Sequence, residues 1–95
     1  MKLTVSPAAL VDLERLRTFL ADKNLNAARR AVSAITRAID SLLVFPDRGH
    51  PAGLAGMRDL AVPFGRSVYI VRFVHDPQRA EIVIIRIWHG REKRE

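Results

Sequence analysis

The chain has 95 residues, contains no cysteine and carries a net charge of +6. We expect a single folded domain over residues 1–95, without disulfides or thiolate metal sites. No apolar run reaches the length of a membrane span, and the first residues lack a signal-peptide core. We therefore expect a cytoplasmic protein that does not bind membranes.

Basic residues are most concentrated in the second half of the chain. Residues 48–95 contain nine Lys or Arg against five acids. A basic surface favours an anionic partner, either a polyanion or an acidic protein segment. Charge alone equally supports the alternative that the basic surface only aids solubility.

The chain begins with a predicted strand and an amphipathic helix. Residues 2–5 are β-prone, and Ser6 and Pro7 are typical of the N-cap and the first position of a helix. Leucines then recur at spacings of three and four over residues 7–22, and Asp12 lies on the predicted solvent face. The predicted core positions of this helix are Leu10, Leu13, Leu16 and Leu20.

A second helix follows a polar break at residues 22–26, which contains two asparagines able to cap it, Asn24 and Asn26. Alanine and isoleucine recur at helical spacing from Ala27 to about Val44, and Pro46 ends the pattern. The short connection predicts that the two helices form an antiparallel hairpin. Three residues of the second helix are interpreted as a solvated face in preference to a nucleic-acid contact: Arg29, Arg30 and Arg37.

The second half of the chain has the pattern of a loop followed by three strands. Residues 46–53 have turn chemistry throughout, and residues 63–65 indicate a turn or bulge, because proline is poorly tolerated in a central strand. Residues 76–78 form a tight turn, which predicts a hairpin between the last two strands. The predicted strands are 57–62, 68–75 and 82–88, which gives the element order β-α-α-β-β-β.

The last strand is apolar on both faces. Strand geometry predicts that Ile82, Ile84 and Trp88 share one face of the sheet. The residues predicted on the opposite face are Val83, Ile85 and Ile87. Because two helices cover only one face of a sheet, the second apolar face predicts a bound partner. The alternative is a central strand whose second face is closed by loops and long side chains.

Four segments together resemble a known family. They are VSPAALVDLERLRTFL, SLLVFPDRG, MRDLAVPFGRSVYIVRFV and IVIIRIWHGREKR. In this order and spacing they resemble the RelE/ParE superfamily of toxins from bacterial type II toxin–antitoxin systems. The resemblance implies an α+β fold, in which an N-terminal strand and an antiparallel helical hairpin pack on one face of a largely antiparallel sheet. It also implies a cognate antitoxin that wraps across the toxin.

The superfamily includes ribosome-dependent ribonucleases, which cleave messenger RNA without a metal ion. Such cleavage needs a general base, a general acid and cations that hold the phosphate. By position, Arg66 and His89 correspond to residues of some RNA-cleaving members, and Arg58 is a further candidate cation. Gly90 stands where those members have a tyrosine, and the lysine cluster of other members has no counterpart.

The superfamily also includes ParE-like toxins, which inhibit DNA gyrase and block replication. The ending Trp-His-Gly-Arg-Glu with a basic tail resembles this branch, in which the ribonuclease residues are missing. We therefore favour a gyrase inhibitor without enzymatic activity, and the alternative is a ribosome-dependent, metal-independent endoribonuclease. The predicted target-binding residues are Trp88, His89, Arg91, Lys93 and Arg94.

The antitoxin is expected to contact the concave sheet face and the helical hairpin. Operator DNA is expected to be bound only through the antitoxin. We expect no cofactor and no metal, since His50 and His75 have no partners at metal-ligand spacing. The residues predicted to meet acidic side chains of the antitoxin are Arg58, Arg66, Arg72 and Arg86.

Two candidate residues also have structural interpretations, which residue type alone favours. His89 at a strand end can bond a backbone carbonyl, and Trp88 can pack within the sheet. A third hypothesis for the protein is a toxin that has lost its activity and only binds an antitoxin.

Overall fold

A computed structural model describes residues 1–53 and 56–92. Within these residues the strands form one mixed sheet in the order β1-β5-β4-β3-β2, with β1 parallel to β5 and the other pairs antiparallel. The predicted α+β architecture is confirmed. The elements are β1 (Lys2–Val5), α1 (Pro7–Ala21), α2 (Leu25–Ser41), β2 (His50–Pro51), β3 (Met57–Phe64), β4 (Ser67–Asp76) and β5 (Glu81–His89).

Both helices begin with the side-chain caps that the sequence predicts. The Ser6 hydroxyl accepts a hydrogen bond from the Ala9 amide at 3.1 Å, and the Asn24 side chain accepts one from the Ala27 amide at 3.0 Å. The second helix ends at Ser41, earlier than predicted. Over residues 42–44 the amides bond to carbonyls three residues back, which tightens the chain into turns.

Two details of the sheet differ from the prediction. His50 and Pro51, within the predicted loop, pair with β3 as the short strand β2. Pro63, predicted in a turn, lies within β3 and opposite Val68. Beyond Asp59, β3 has no described strand on its outer side, so the missing N–H of Pro63 breaks no ladder bond.

A β-bulge interrupts the period-2 pattern of β5. Phe73 of β4 pairs with Ile84, whereas the preceding residue, Arg72, pairs with Arg86. Ile85 is therefore an extra residue in β5, and the side chains that follow it change face.

The predicted division of β5 into two faces is wrong after the bulge. Ile87 joins Ile82 and Ile84 in the core on the helix side, and all three are fully buried. Trp88 lies on the opposite face, next to Ile70. This open face also carries half-buried apolar side chains of the central strands, namely Ile70, Val74, Val83 and Ile85.

The edge of β5 is completed by α1, because β1 pairs only with the first half of β5. The chain leaves the sheet after Val5, and Ser6 then donates its amide to the Ile84 carbonyl and its hydroxyl to the Ile85 carbonyl, both at 2.9 Å. Further along this edge, the amide of Ile87 has no strand partner and donates instead to a carboxylate oxygen of Asp12 at 2.8 Å.

Asp12 therefore faces the sheet, and its predicted solvent exposure is wrong. The residue is 3% exposed, whereas Leu10, a predicted core position, is 54% exposed. Arg86 donates two hydrogen bonds to the Asp12 carboxylate, at 2.7 and 3.0 Å. Burial raises the pKa of Asp12, but the hydrogen bonds from Arg86 and the Ile87 amide, with the charges of Arg86 and Arg15, outweigh burial and leave the pKa below its usual value.

Candidate target-binding site

The candidate site lies at the end of the sheet where the β3–β4 turn meets the end of β5. The turn consists of Gly65 and Arg66, and Gly65 has a φ of +58°, as the first central position of a type II′ turn requires. His89, the last residue of β5, pairs with Tyr69 of β4. This pairing brings the predicted residues Arg66, His89 and Arg91 to the same end of the sheet.

Two cavities meet at His89. One cavity, of 320 Å³, lies between the turn and the end of β5. Its lining includes Arg66, Arg91 and residues at the start of β4 and the end of β5. The other, of 580 Å³, lies between this end of the sheet and α1, with Phe19 and Leu20 on its helix side. His89 and Arg91 line both cavities.

The ring of His89 is held by contacts on two sides. It packs edge-on against the ring of Tyr69, with 5.4 Å between centroids, and its Nδ1 accepts a hydrogen bond from the Arg91 amide at 3.1 Å. Because Nδ1 is used as an acceptor, Nε2 carries the proton of the neutral ring. Nε2 is thus the ring nitrogen left for a ligand.

The two arginines of the site have no side-chain partner among the described residues. Arg66 and Arg91 are exposed and make no ion pair or hydrogen bond through their guanidinium groups. Each keeps all five donors for an external acceptor. The lining of this one cavity therefore contains two free cations and one imidazole.

Gly90 allows β5 to end in close contact with β4. Its amide donates to the Val68 carbonyl at 2.7 Å, and a Cβ at this position would lie 2.9 Å from the same oxygen. The backbone therefore leaves no room here for a larger side chain without displacement of β4. The tyrosine found at this position in some RNA-cleaving members does not fit the chain as it stands.

The turn after β5 is fixed to α1 by an ion-pair network of Arg86, Asp12, Arg15 and Glu92. One carboxylate oxygen of Glu92 accepts a hydrogen bond from Arg15 at 3.1 Å and another from the His89 amide at 2.9 Å. Arg15 also lies 3.7 Å from Asp12. The network therefore determines the direction in which the chain leaves β5.

Arg58 does not reach the candidate site. It lies six residues before Phe64 on β3, about 20 Å from the turn at the spacing of a strand. Its guanidinium donates to the carbonyls of Arg48 and Gly49, at 3.0 and 2.8 Å, and so holds the segment before β2.

Trp88 and two further predicted arginines are engaged within the protein. Trp88 is 6% exposed, and the guanidinium of Arg72 covers its ring at 4.9 Å from the centroid. Arg72 also donates two hydrogen bonds to Asp59, at 2.8 and 3.0 Å. Arg86 is bound to Asp12. Of the four predicted antitoxin-binding arginines, Arg66 has the free guanidinium group.

The remaining predicted site residues, Lys93 and Arg94, lie outside the described residues. Within residues 1–53 and 56–92, no three His, Asp or Glu side chains come together as metal ligands. Over the same part of the chain, neither helix is both long and apolar enough to cross a membrane.

The sequence interpretation missed two features of this region. The sequence interpretation does not include Asp12 or Glu92 among the candidates, although the three-residue spacing of Asp12 and Arg15 on a helix suits an ion pair. The other feature is a third cavity, of 470 Å³, between α2 and the β3–β4 turn. It is lined by the arginines that were interpreted as a solvated face, Arg29, Arg30 and Arg37.

Comparisons with known proteins cover nearly the whole chain. Residues 3–94 match the family model described as ParE toxin of type II toxin-antitoxin system, parDE. Toxin RelE1 of Caulobacter vibrioides is 36% identical over 90 residues, which cover 95% of this chain and 94% of that protein. Toxin RelE3 of the same organism is 33% identical over 90 residues, which cover 95% of each chain.

A solved structure of the "Chromosomal ParDE TA system from P. aeruginosa" has the same fold. It superposes with a TM-score of 0.78 at 24% identity, and the match covers 94% of this chain and 95% of that chain. The family model and the solved structure bear the ParE name, whereas both relatives bear the RelE name.

Proposed function

Because the chain belongs to the ParE toxin family of type II toxin–antitoxin systems, with a cognate antitoxin as its partner, we propose that it inhibits DNA gyrase. In this proposal the protein acts in the cytoplasm by binding its target, without an enzymatic step. The contacts are made by the free cations at the end of the sheet, Arg66 and Arg91, together with His89. We propose Lys93 and Arg94, which follow in the sequence, as further contacts on the grounds of their charge alone.

The observation that carries this proposal is the chemistry of the lining residues. Cleavage of RNA without a metal needs two groups that exchange protons, one as base and one as acid. In the cavity between Arg66 and Arg91, His89 is the one described side chain of a type that commonly serves as a general acid or base. Two free guanidinium groups around a single imidazole support binding better than proton transfer.

Neighbouring groups do not supply the second proton carrier. Tyr69 is buried, and burial raises the pKa of its hydroxyl above the usual value. The Glu92 carboxylate is already engaged by hydrogen bonds from Arg15 and from the His89 amide. Gly90 has no side chain where some RNA-cleaving members have a tyrosine.

Burial changes which residues we propose as target contacts. Trp88 is covered by Arg72, so it supports the sheet and the position of His89 rather than reaching a partner. Arg66, Arg91 and His89 remain accessible from the two cavities. Rim cations of this kind affect the association rate and orientation of a complex.

A second candidate function is ribosome-dependent RNA cleavage. It is favoured by the position of His89, whose Nε2 is free and lies in a cavity between two unpaired arginines that suit a phosphate. Both Caulobacter relatives are also named RelE toxins. In this alternative His89 would move a proton, and its removal would abolish activity.

For the antitoxin we propose the open face of the sheet as the main contact. The half-buried side chains on this face, including Ile70 and Val74, are not covered by a second layer of described structure. Arg72 and Asp59 form an ion pair in the same area. An extended or helical antitoxin segment would bury these apolar side chains and stabilise the toxin by mass action.

The two functions separate in cells within minutes of induction. We would induce the chain without antitoxin and pulse-label DNA and protein synthesis in parallel. Gyrase inhibition predicts that DNA synthesis falls first while translation continues. A first collapse of translation would contradict it and support RNA cleavage, and the absence of any effect would indicate an inactive toxin.

Variants connect the cellular effect to the candidate site. The double variant Arg66→Gln/Arg91→Gln should lose growth arrest, because both free cations are removed. The matched control is Arg17→Gln/Arg79→Gln, which removes the same charge from two arginines that are paired with Glu14 and Asp76. Under gyrase inhibition His89→Gln should weaken the effect, and under RNA cleavage it should abolish it.

A further inference from the structure

The arginines in the described part of the chain fall into two groups. One group is bound by carboxylates, a hydroxyl or carbonyls of the protein: Arg15, Arg17, Arg48, Arg58, Arg72, Arg79 and Arg86. The other group has no side-chain partner within residues 1–53 and 56–92: Arg29, Arg30, Arg37, Arg66 and Arg91. We call the second group the basic band.

The basic band is continuous across two cavities. Arg29, Arg30 and Arg37 line the 470 Å³ cavity between α2 and the β3–β4 turn, where Gly65 forms part of the opposite wall. Arg66 follows Gly65 in the turn and lines the 320 Å³ cavity together with Arg91. The unpaired cations thus run from α2 over the turn to the end of β5.

Within the described residues, no acid forms an ion pair with an arginine of this band. Neither of the two cavities has an Asp or Glu among its lining residues. Asp40, one turn beyond Arg37 on α2, forms no ion pair. Neighbouring cations repel one another, so an uncompensated band is stabilised by an external anion with several charges.

We propose that the basic band binds the sugar–phosphate backbone of double-stranded DNA. Guanidinium groups donate paired hydrogen bonds to phosphate oxygens, and the band contains arginine alone. Arg30 and Arg37 are seven residues apart on one helix face, which corresponds to about 10 Å along the axis. This is the rise of about three nucleotides along one DNA strand, so both can reach phosphates of one strand.

The lining of the α2 cavity favours a duplex over other polyanions. Single strands bind on exposed aromatic rings, and the one aromatic ring that lines this cavity belongs to Phe64. Phe64 is half-buried and packs against Tyr69, with 6.3 Å between centroids. An acidic protein segment would need apolar or aromatic anchors as well as charges, and the apolar side chains that line this cavity are limited to Ala34, Pro63 and the half-buried Phe64.

Backbone binding of this kind carries no sequence information. It is therefore separate from operator recognition, which we expect the antitoxin to provide. It is also independent of the choice between gyrase and the ribosome, because bare DNA is the ligand.

The test is the salt dependence of DNA binding by the purified full-length chain. Fluorescence anisotropy of a labelled duplex of about 24 base pairs would be measured between about 50 and 200 mM salt. Five phosphate contacts predict a slope of log K against log salt of about −4.5, which is a loss of about 500-fold over this range. The variant Arg30→Gln/Arg37→Gln should reduce the slope to about −2.7 and the loss to about 40-fold.

The control is Arg17→Gln/Arg79→Gln, which lowers the net charge equally but leaves the basic band intact. It should keep the full slope, and thermal melting would show that both double variants are folded. Equal slopes for the two double variants would overturn the proposal, as would tighter binding of a single strand of the same length. Polyglutamate and unlabelled duplex DNA would also be compared as competitors at the same concentration of charge. If polyglutamate competes as effectively as the duplex, the band binds an acidic protein instead.

Discussion

Arginines at two neighbouring regions of this molecule have opposite surroundings. In the ion-pair network between α1 and β5, Arg86 holds the buried carboxylate of Asp12 with two hydrogen bonds, and Arg15 links Asp12 to Glu92. In the basic band, Arg66 and its neighbours have no partner within the described residues. The comparison indicates that the first group stabilises the fold, whereas the second is available for partners.

Removal of Asp12 should have the largest effect on stability. Asp12→Ala leaves the buried amide of Ile87 unpaired and removes both hydrogen bonds from Arg86, so we expect the free energy of unfolding to fall by about 3 kcal/mol. For a domain of this size the melting temperature should fall by more than about 10 °C. The measurement is thermal unfolding followed by circular dichroism.

Asp40→Ala is the matched control, because Asp40 is an exposed helical acid without an ion pair. It should change the free energy of unfolding by less than about 0.5 kcal/mol. Similar melting temperatures for the two variants would show that the α1–β5 network does not stabilise the fold.

The same network should make stability depend on acid pH. The pKa of Asp12 is lowered in the folded state, so its contribution is fully present above the unfolded value of about 3.9 and is lost as pH falls through the folded value. The difference in melting temperature between the wild type and Asp12→Asn should be constant above about pH 5 and shrink below about pH 4. A difference that grows as the pH falls would contradict the assignment.

Removal of the Glu92 charge should have a smaller effect on stability. Glu92→Gln breaks the ion pair with Arg15. The side chain of Glu92 is 32% exposed and that of Arg15 is 42% exposed, so we expect the free energy of unfolding in urea to fall by less than about 1 kcal/mol. Growth arrest should nevertheless weaken clearly, because this pair holds the turn at residues 90–92, which carries Arg91. Glu14→Gln, which breaks an exposed pair within α1, should leave growth arrest unchanged.

Changes in the basic band should have the smallest effect on stability. Arg66→Gln/Arg91→Gln removes no hydrogen bond of the described structure, so the free energy of unfolding should stay within about 0.5 kcal/mol of the wild type. Growth arrest should be lost at the same protein level. A variant that is strongly destabilised, or that is stable and fully toxic, would break the contrast between the two regions.

Elements determined by local pattern could be predicted from the sequence. The caps at Ser6 and Asn24 and the polar break between the helices are short-range signals, and the structure has all of them. The convergence of Arg66 and His89 follows from the predicted hairpin of the last two strands, because the start of β4 and the end of β5 then lie at the same end of the sheet.

Features that depend on long-range pairing could not be predicted. The bulge at Ile85 moves Trp88 to the opposite face from Ile84, and alternation within one strand contains no sign of it. An aspartate on an amphipathic helix is predicted to face solvent. The groups that donate hydrogen bonds to the buried Asp12 lie more than seventy residues later in the chain. For the same reason, the sequence does not distinguish paired from unpaired arginines.

The most direct test of the central claim is a supercoiling assay with purified gyrase, relaxed plasmid and the purified chain. We predict that the wild type and Arg17→Gln/Arg79→Gln block supercoiling or trap cleaved plasmid, and that Arg66→Gln/Arg91→Gln does neither. Normal supercoiling in the presence of excess wild-type chain, with cleavage of messenger RNA when the chain is added to translating ribosomes, would contradict gyrase inhibition.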